Sequence, residues 1–476
     1  MGKRKYGLAV AVLALGVVSA SAALASPFDV YGPGARSTAM GGAQVAKPEG
    51  AVAIYDNVAG LADEEVSIRV GAFATFGDAP ILLKERPQGY DVPDLGSRSP
   101  ALPSEQTRRQ RRDTDSPDPI YGVNIGVVTD FGGTRTRGGV LVMLPTNGLI
   151  VQRTHFADER ERYFSNQLHH EIIGSRLHRP VIELGVARQL TERIAFGVGG
   201  TYLPGTAVTT EAYVADPADQ SEVDLNARVR TGNQWGLLTG VTVALPLDLT
   251  LGLVFRQGVA FEMEGANDVQ VRGIESSPED SRQELNWVPV FTPSSLRSGL
   301  AWARGNLEFS VDGRYTFWSA YVDTQGEDPR FTNTLEGRAG VEWTYSEETR
   351  LRGGLGFIPT PVPEQTGRSN YVDNSRLLAA LGGGHDFQFG ERAFEASWFV
   401  QFQHLLLRDT DKEHRQDYPD CAPGERALCD EVPDELRDPN TGQPYPEAQG
   451  LQTGNPGFPG FVSGGWIGSV GIEVRY

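Results

Sequence analysis

The chain has 476 residues, with 61 acidic and 43 basic side chains, a net charge of −18 and 39 % hydrophobic content. Its mean hydropathy is −0.31. That acidic balance excludes nucleic-acid binding as a main role, because phosphate backbones are met by cationic surfaces.

At the N-terminus, Lys3, Arg4 and Lys5 precede an apolar run from Gly7 to Val18. Ala23-Leu24-Ala25 then supplies small residues ahead of Ser26. The pattern predicts a secretory signal peptide over residues 1–25. Its removal takes away three bases and brings the net charge to about −21. Beyond it there is no apolar stretch of the roughly 18 residues that a membrane helix needs. The exported chain is therefore either soluble or a β-barrel, and modest hydropathy suits a barrel whose alternate residues face a polar lumen.

Residues 26–64 are rich in glycine and alanine and show no wall-like alternation. Small residues permit close backbone approach, as in a segment packed inside something narrow. From residue 65 on, period-two alternation of apolar and polar residues recurs along most of the chain. Leu307, Phe309, Val311, Tyr315 and Phe317 oppose Glu308, Ser310, Asp312, Arg314 and Thr316. A strand between two different environments has this signature.

Fourteen strands are predicted, near 65–76, 119–131, 137–151, 179–190, 193–214, 222–245 and 248–271, then 286–303, 306–321, 334–345, 349–360, 374–388, 392–407 and 462–476. Tight turns such as Gly305-Asn306 and Gly390-Glu391 alternate with longer polar loops, the longest near 77–118, 152–178 and 408–461. Short periplasmic turns and long outer loops mark bacterial barrels, and an even strand count puts both ends of the wall in the periplasm. The last strand carries Trp466, Val470, Ile472, Val474 and Tyr476 on one parity and Ser469, Glu473 and Arg475 on the other. A soluble β-sandwich would also alternate. Against it stand strands of up to about 24 residues, charges such as Asp312, Arg314, Glu336 and Arg338 on one face, and the terminal aromatic. The fold class is thus all-β, a transmembrane antiparallel barrel of 65–476 with the N-terminal segment in its lumen.

Within that segment lie Gly32-x-Gly34-Ala35-Arg36-x-Thr38-Ala39-Met40-Gly41-Gly42-Ala43 and Asn57-x-Ala59-Gly60-Leu61-Ala62. These runs resemble the N-terminal hatch of FadL/TodX-type outer-membrane transporters of long-chain fatty acids and other hydrophobic compounds. The resemblance implies a hatch that includes Gly34, Ala35, Arg36, Gly41, Gly42, Asn57, Val58 and Ala59. It also implies passive uptake through a lumenal binding site, with lateral exit at a kink in the third strand. Leu144-Pro145-Thr146-Asn147-Gly148 fits such a kink, because Pro145 cannot donate to the ladder and Gly148 tolerates unusual dihedrals. The alternative is that Pro145 marks a strand end near the rim. In one departure, the family's Asn-Pro-Ala is Asn57-Val58-Ala59, without the proline's fixed φ.

A hydrophobic carboxylate needs an apolar groove and a donor for its head. Inward parity offers Arg256, Arg314, Arg338, Arg350 and Arg352 as donors, with Leu203, Leu238, Val254 and Phe399 as apolar positions. Most of these arginines are expected to pair with Glu308, Asp312, Glu336, Glu342 or Glu395, or to hold the inner segment. Cys421 and Cys429 share one polar loop and suit a local disulfide in an oxidising compartment; without histidines at ligand spacing they make a poor zinc site.

No Gly-x-Ser-x-Gly elbow is present, and His155, His169, His170 and His178 lie in or beside one loop. The expectation is a non-enzyme without metal or cofactor. Its partners would be a hydrophobic small molecule, outer-membrane lipid and lipopolysaccharide, and the periplasmic barrel-assembly machinery, and the fold needs no second chain, so it is read as a monomer. The competing functions are a structural or surface-interaction barrel and a less specific porin.

Overall fold

The computed structural model describes residues 32–83, 112–114, 119–131, 135–147, 169–170, 180–205, 207–216, 221–272, 282–321, 330–365, 371–411 and 460–476. Fourteen antiparallel strands form a closed wall. They are β1 (Ser67–Asp78), β2 (Ile120–Asp130), β3 (Thr136–Pro145), β4 (Val181–Gln189), β5 (Ile194–Leu203), β6 (Gln234–Leu245) and β7 (Leu249–Arg256). The circuit continues through β8 (Ser295–Arg304), β9 (Leu307–Thr316), β10 (Thr334–Thr344), β11 (Thr349–Ile358), β12 (Arg376–Phe389), β13 (Arg392–Asp411) and β14 (Gly460–Arg475). Each strand pairs with the next in sequence, and β1 closes on β14 through Arg69↔Arg475 to Asp78↔Trp466. Closure leaves no free edge in the wall, which a bilayer requires.

The burial pattern is inverted relative to a soluble protein. Along β9, Glu308, Ser310, Asp312, Arg314 and Thr316 are buried, while Leu307, Phe309, Val311 and Tyr315 are exposed. The same holds around the circuit, with Val311 62 %, Leu335 67 %, Leu381 64 % and Ile472 68 % exposed. A belt of large apolar side chains around a polar interior is a surface made for lipid. The tight turns gather at the end where β1 begins and β14 stops. Leu247 and Asp248 turn with φ of 68° and 62°, and Gly305 and Gly390 with φ of 64°. At that end Trp343 meets Tyr345, and Phe394 stacks beside Phe387 and Tyr476, as an interfacial aromatic girdle does.

Several predicted boundaries move. The strands expected at 193–214, 222–245, 248–271 and 286–303 each break where they leave the wall, at Pro204-Gly205, Gly232-Asn233, Gln257-Gly258 and Pro293-Ser294. Beyond the breaks they form a separate four-stranded sheet of Ala207–Asp216, Ser221–Thr231, Val259–Arg272 and Arg282–Thr292. Two of the four breaks hold a proline, which has no amide for the ladder. The loop expected at 77–118 contributes a short pair, Pro80–Leu83 with Arg112–Thr114, that lengthens the sheet beside β14. The strand expected at 306–321 ends at Thr316, and a 3₁₀ turn at Trp318–Ala320 follows. There Phe291, Trp318, Tyr321, Phe331 and Val362 form a small core at the loop end of the barrel.

Residues 32–63 lie inside the wall. Helix α1 (Ala35–Ala39) ends at Met40 and is followed by Gly41 and Gly42 at φ of 68° and 78°, a left-handed pair that stops a helix. After a 3₁₀ turn at Gly50–Val52 come α2 (Ala53–Asp56) and a second 3₁₀ stretch, Val58–Asp63. Asn57 caps the latter by accepting from the Ala59 amide.

Candidate functional site in the lumen

The inner segment is seated where wall strands lack side chains. An added Cβ would lie 2.7 Å from the Val58 side chain at Gly185 and 2.6 Å from the Val58 carbonyl carbon at Gly197. On the far side, one at Gly340 would lie 2.9 Å from the Met40 Cβ. Glycine lets the backbones approach this closely.

Charge holds the first half of the segment. The Arg36 guanidinium meets Glu308 at 2.7 Å, Glu342 at 2.9 Å and Glu49 at 3.2 Å. Lys47 joins Glu308 at 2.9 Å, and the Val45 amide donates to Asp312 at 2.8 Å. Arg338 donates to the Gly41 carbonyl at 3.1 Å, the Ala35 amide donates to Glu473 at 3.0 Å, and Arg475 meets Glu49 at 2.5 Å. These acceptors and donors sit on β9, β10 and β14. The second half is tied to β6 and β7, where Asn57 donates to the Val241 carbonyl at 3.1 Å and Arg256 donates to the Tyr55 carbonyl at 2.9 Å.

A buried apolar cluster also lies in the lumen. Phe73, Ile120, Leu141, Met143, Val181, Leu203 and Leu238 are buried and form one cluster with Ile54, Val58 and Leu61 of the inner segment. They line β1 to β6 toward the loop end.

The arginines singled out from sequence are engaged with carboxylates. Arg256 meets Glu183 at 2.6 Å, Arg314 lies 3.6 Å from Glu336, and Arg338 reaches Glu336 at 3.1 Å. Arg352 bridges Glu342 at 2.7 Å and Glu395 at 3.1 Å, and Arg350 meets Asp386 at 2.6 Å. Phe399 is buried with its ring over Gly32 and Gly471. Val254 also faces inward. Leu203 and Leu238 belong to the apolar cluster, whereas Gly34, Ala35, Arg36, Gly41, Gly42, Asn57, Val58 and Ala59 all lie in the inner segment.

Sequence reasoning missed Phe73, Ile120, Leu141, Met143, Val181 and the fully buried Glu183. The signal was there in Val140-Leu141-Val142-Met143-Leu144, which does not alternate. A strand apolar on both faces has an apolar lumen beside it.

Pro145 is the last residue of β3. It pairs with Gly122 of β2, while among the described residues the pairing with β4 runs to Met143↔Val181. Asn147 then binds back to β2, its side chain accepting from the Tyr121 amide at 3.0 Å. Gly148, Cys421, Cys429 and the signal-peptide region lie outside the described residues.

At the turn end a cleft of about 410 Å³ is lined by Lys47, Glu49, Asp63, Glu64, Glu192 and Arg193 among others. Burial pushes the Glu64 carboxyl up to about 7, reinforced by the neighbouring Glu49 charge and opposed by the Gly50 amide. Burial also raises Asp63. The lumen thus passes from an apolar outer cluster to a charged inner mouth.

No family model and no curated protein matches the sequence. Solved structures are. A FadL homologue of Pseudomonas aeruginosa superposes with a TM-score of 0.59 at 11 % identity, over 96 % of this chain and 99 % of that one. The toluene transporter TodX of P. putida superposes with a TM-score of 0.52 at 14 % identity, over 94 % and 99 %. The chain is a membrane-spanning β-barrel with the FadL/TodX-type fold.

Proposed function

We propose that the chain is an outer-membrane channel of a Gram-negative bacterium for passive uptake of hydrophobic compounds, with long-chain fatty acids as the principal class. The observation that carries this reading is the buried apolar cluster of Ile120, Leu141, Met143, Val181, Leu203 and Leu238 in a lumen that also holds many charges. A chain of methylene groups gains roughly 0.8 kcal/mol for each one it buries, and a lumen built for ions or sugars has no use for such a surface. The inner segment plays the part of a hatch, since residues 32–63 fill the turn end and must shift for a ligand to pass. Exit is sideways at the outer part of β3, where Pro145 has no amide to donate and, among the described residues, pairing with β4 runs no further than Met143↔Val181. A less specific porin would keep an open wet pore, and the segment seated against the wall glycines favours the specific channel over it. The channel acts without catalysis or cofactor, as a monomer surrounded by lipid and lipopolysaccharide.

The test is uptake of radiolabelled oleate and toluene by cells lacking the gene and by cells complemented with the native chain or a Leu141→Asn, Met143→Gln double variant. Restored uptake by the native chain, reduced in a variant that still assembles as a heat-modifiable barrel, supports the reading. Uptake that ignores the chain removes it.

A further inference from the structure

Glu183 of β4 lies fully buried among members of the apolar cluster. It pairs with Leu141 on β3 and Thr201 on β5, and Val181 and Leu203 stand two residues along from it and from Thr201. A carboxylate brings two acceptor oxygens, and only one of these is used. Oε1 accepts from Arg256 Nη1 at 2.6 Å and from the Thr201 hydroxyl at 3.1 Å, whereas Oε2 meets no donor among the described residues. Arg256 is left in a similar condition. Its Nη1 serves Glu183 and Thr201, its Nη2 donates to the Tyr55 carbonyl at 2.9 Å, and its Nε meets no acceptor among the described residues. The Tyr55 ring lies under both Arg256 and Arg297, 4.7 and 5.3 Å from their guanidinium carbons. One ion pair therefore holds an unmet acceptor and an unmet donor beside the surface on which the transport reading rests. Buried polar atoms are rarely left unmet, and where they are, a partner belongs.

We infer that the Glu183–Arg256 pair reads the polar end of the ligand and takes a neutral end that donates as well as accepts: a hydroxyl, or a carboxyl group that keeps its proton. The ligand O–H gives Glu183 Oε2 the donor it lacks, and the ligand oxygen offers an acceptor to the guanidinium, with the tail against Leu141, Val181 and Leu203. An ionised carboxylate has acceptors only, so it would set its negative charge against an oxygen that already shares one. This inference rests on the transport reading and adds the chemistry of the head. Long-chain acids pass this point protonated, and long-chain alcohols are ligands as well.

Glu183→Gln inverts the unmet group, because the amide carbonyl keeps the bonds from Arg256 and Thr201 while an NH2 donor replaces Oε2. In cells carrying the native chain, entry of radiolabelled oleyl alcohol should exceed that of methyl oleate, whose head can only accept. With Glu183→Gln the order should reverse, a change of about tenfold in the ratio. An unchanged ratio would overturn the inference, since an oxygen that faces only packing or a buried water does not sort heads. Should the variant fail to assemble as a heat-modifiable barrel, carbon NMR of the purified native barrel decides, with oleic acid isotopically labelled at its carboxyl carbon. The bound resonance is expected at the protonated position at a pH where the same acid in detergent micelles has ionised. A bound resonance at the carboxylate position, or none at all, contradicts the inference. Entry that ignores the chain for every probe would instead remove the transport reading, while the resonance of the bound acid still judges the head site.

Discussion

Arg36 is the residue on which most of the inner segment's charge converges. Its guanidinium, 12 % exposed, serves Glu49, Glu308 and Glu342. Removing one member of a buried ion cluster leaves the others uncompensated, which costs about 3–5 kcal/mol. Arg36→Met should therefore lower the urea midpoint for release of the segment, read by protease cleavage within residues 32–63, and Arg36→Lys should lower it less. Glu64 gives a pH-dependent counterpart. Its folded value of about 7 lies above the ordinary 4.5, so the folded chain holds the proton more tightly than the unfolded one. The stability it contributes is complete below about 4.5 and is lost as pH rises through about 7. Relative to Glu64→Gln, the native chain should become progressively easier to unfold across that window; a constant difference between the two would contradict the assignment. Residue identity made Arg36 visible in the sequence, inside a recognisable run. Glu183 was not visible, because a glutamate on inward parity reads the same whether it meets water or Arg256.

At the scale of elements, the wall was legible and its outer margin was not. Period-two alternation marked most of the fourteen wall strands, since lipid on one side and a polar lumen on the other impose it residue by residue, whereas β3 with its Val140–Leu144 run is apolar on both faces. The four breaks above β5 to β8 were missed because strand-like sequence resumes on both sides of them, although Pro204 and Pro293 mark two of the four. The inner segment obeys no periodicity, and its seat is written instead in the wall's glycines. Gly197 is the sharpest case, with a hypothetical Cβ 2.6 Å from the Val58 carbonyl carbon and 2.7 Å from the Ala59 nitrogen. Gly197→Leu should unseat the second half of the segment and raise its proteolysis, while the barrel remains heat-modifiable on gels. Unchanged protection would mean that the segment does not rest on β5.

Over the whole molecule, the lumen combines a buried apolar cluster, richest on β1 to β6 and reaching Phe399, Leu405 and Ile467 on β13 and β14, with ion pairs concentrated on β9 to β14, and the inner segment touches both. The apolar cluster was half legible: Leu203 and Leu238 follow from inward parity, but that Leu141, Met143 and Val181 join them across three strands is a tertiary fact. This combination predicts selectivity by polarity rather than by size. The most direct measurement compares entry of radiolabelled oleate with that of a disaccharide into cells with and without the protein. Oleate entry should depend on the chain while disaccharide entry does not change. Disaccharide passing as freely as oleate, or oleate entry indifferent to the chain, would contradict it.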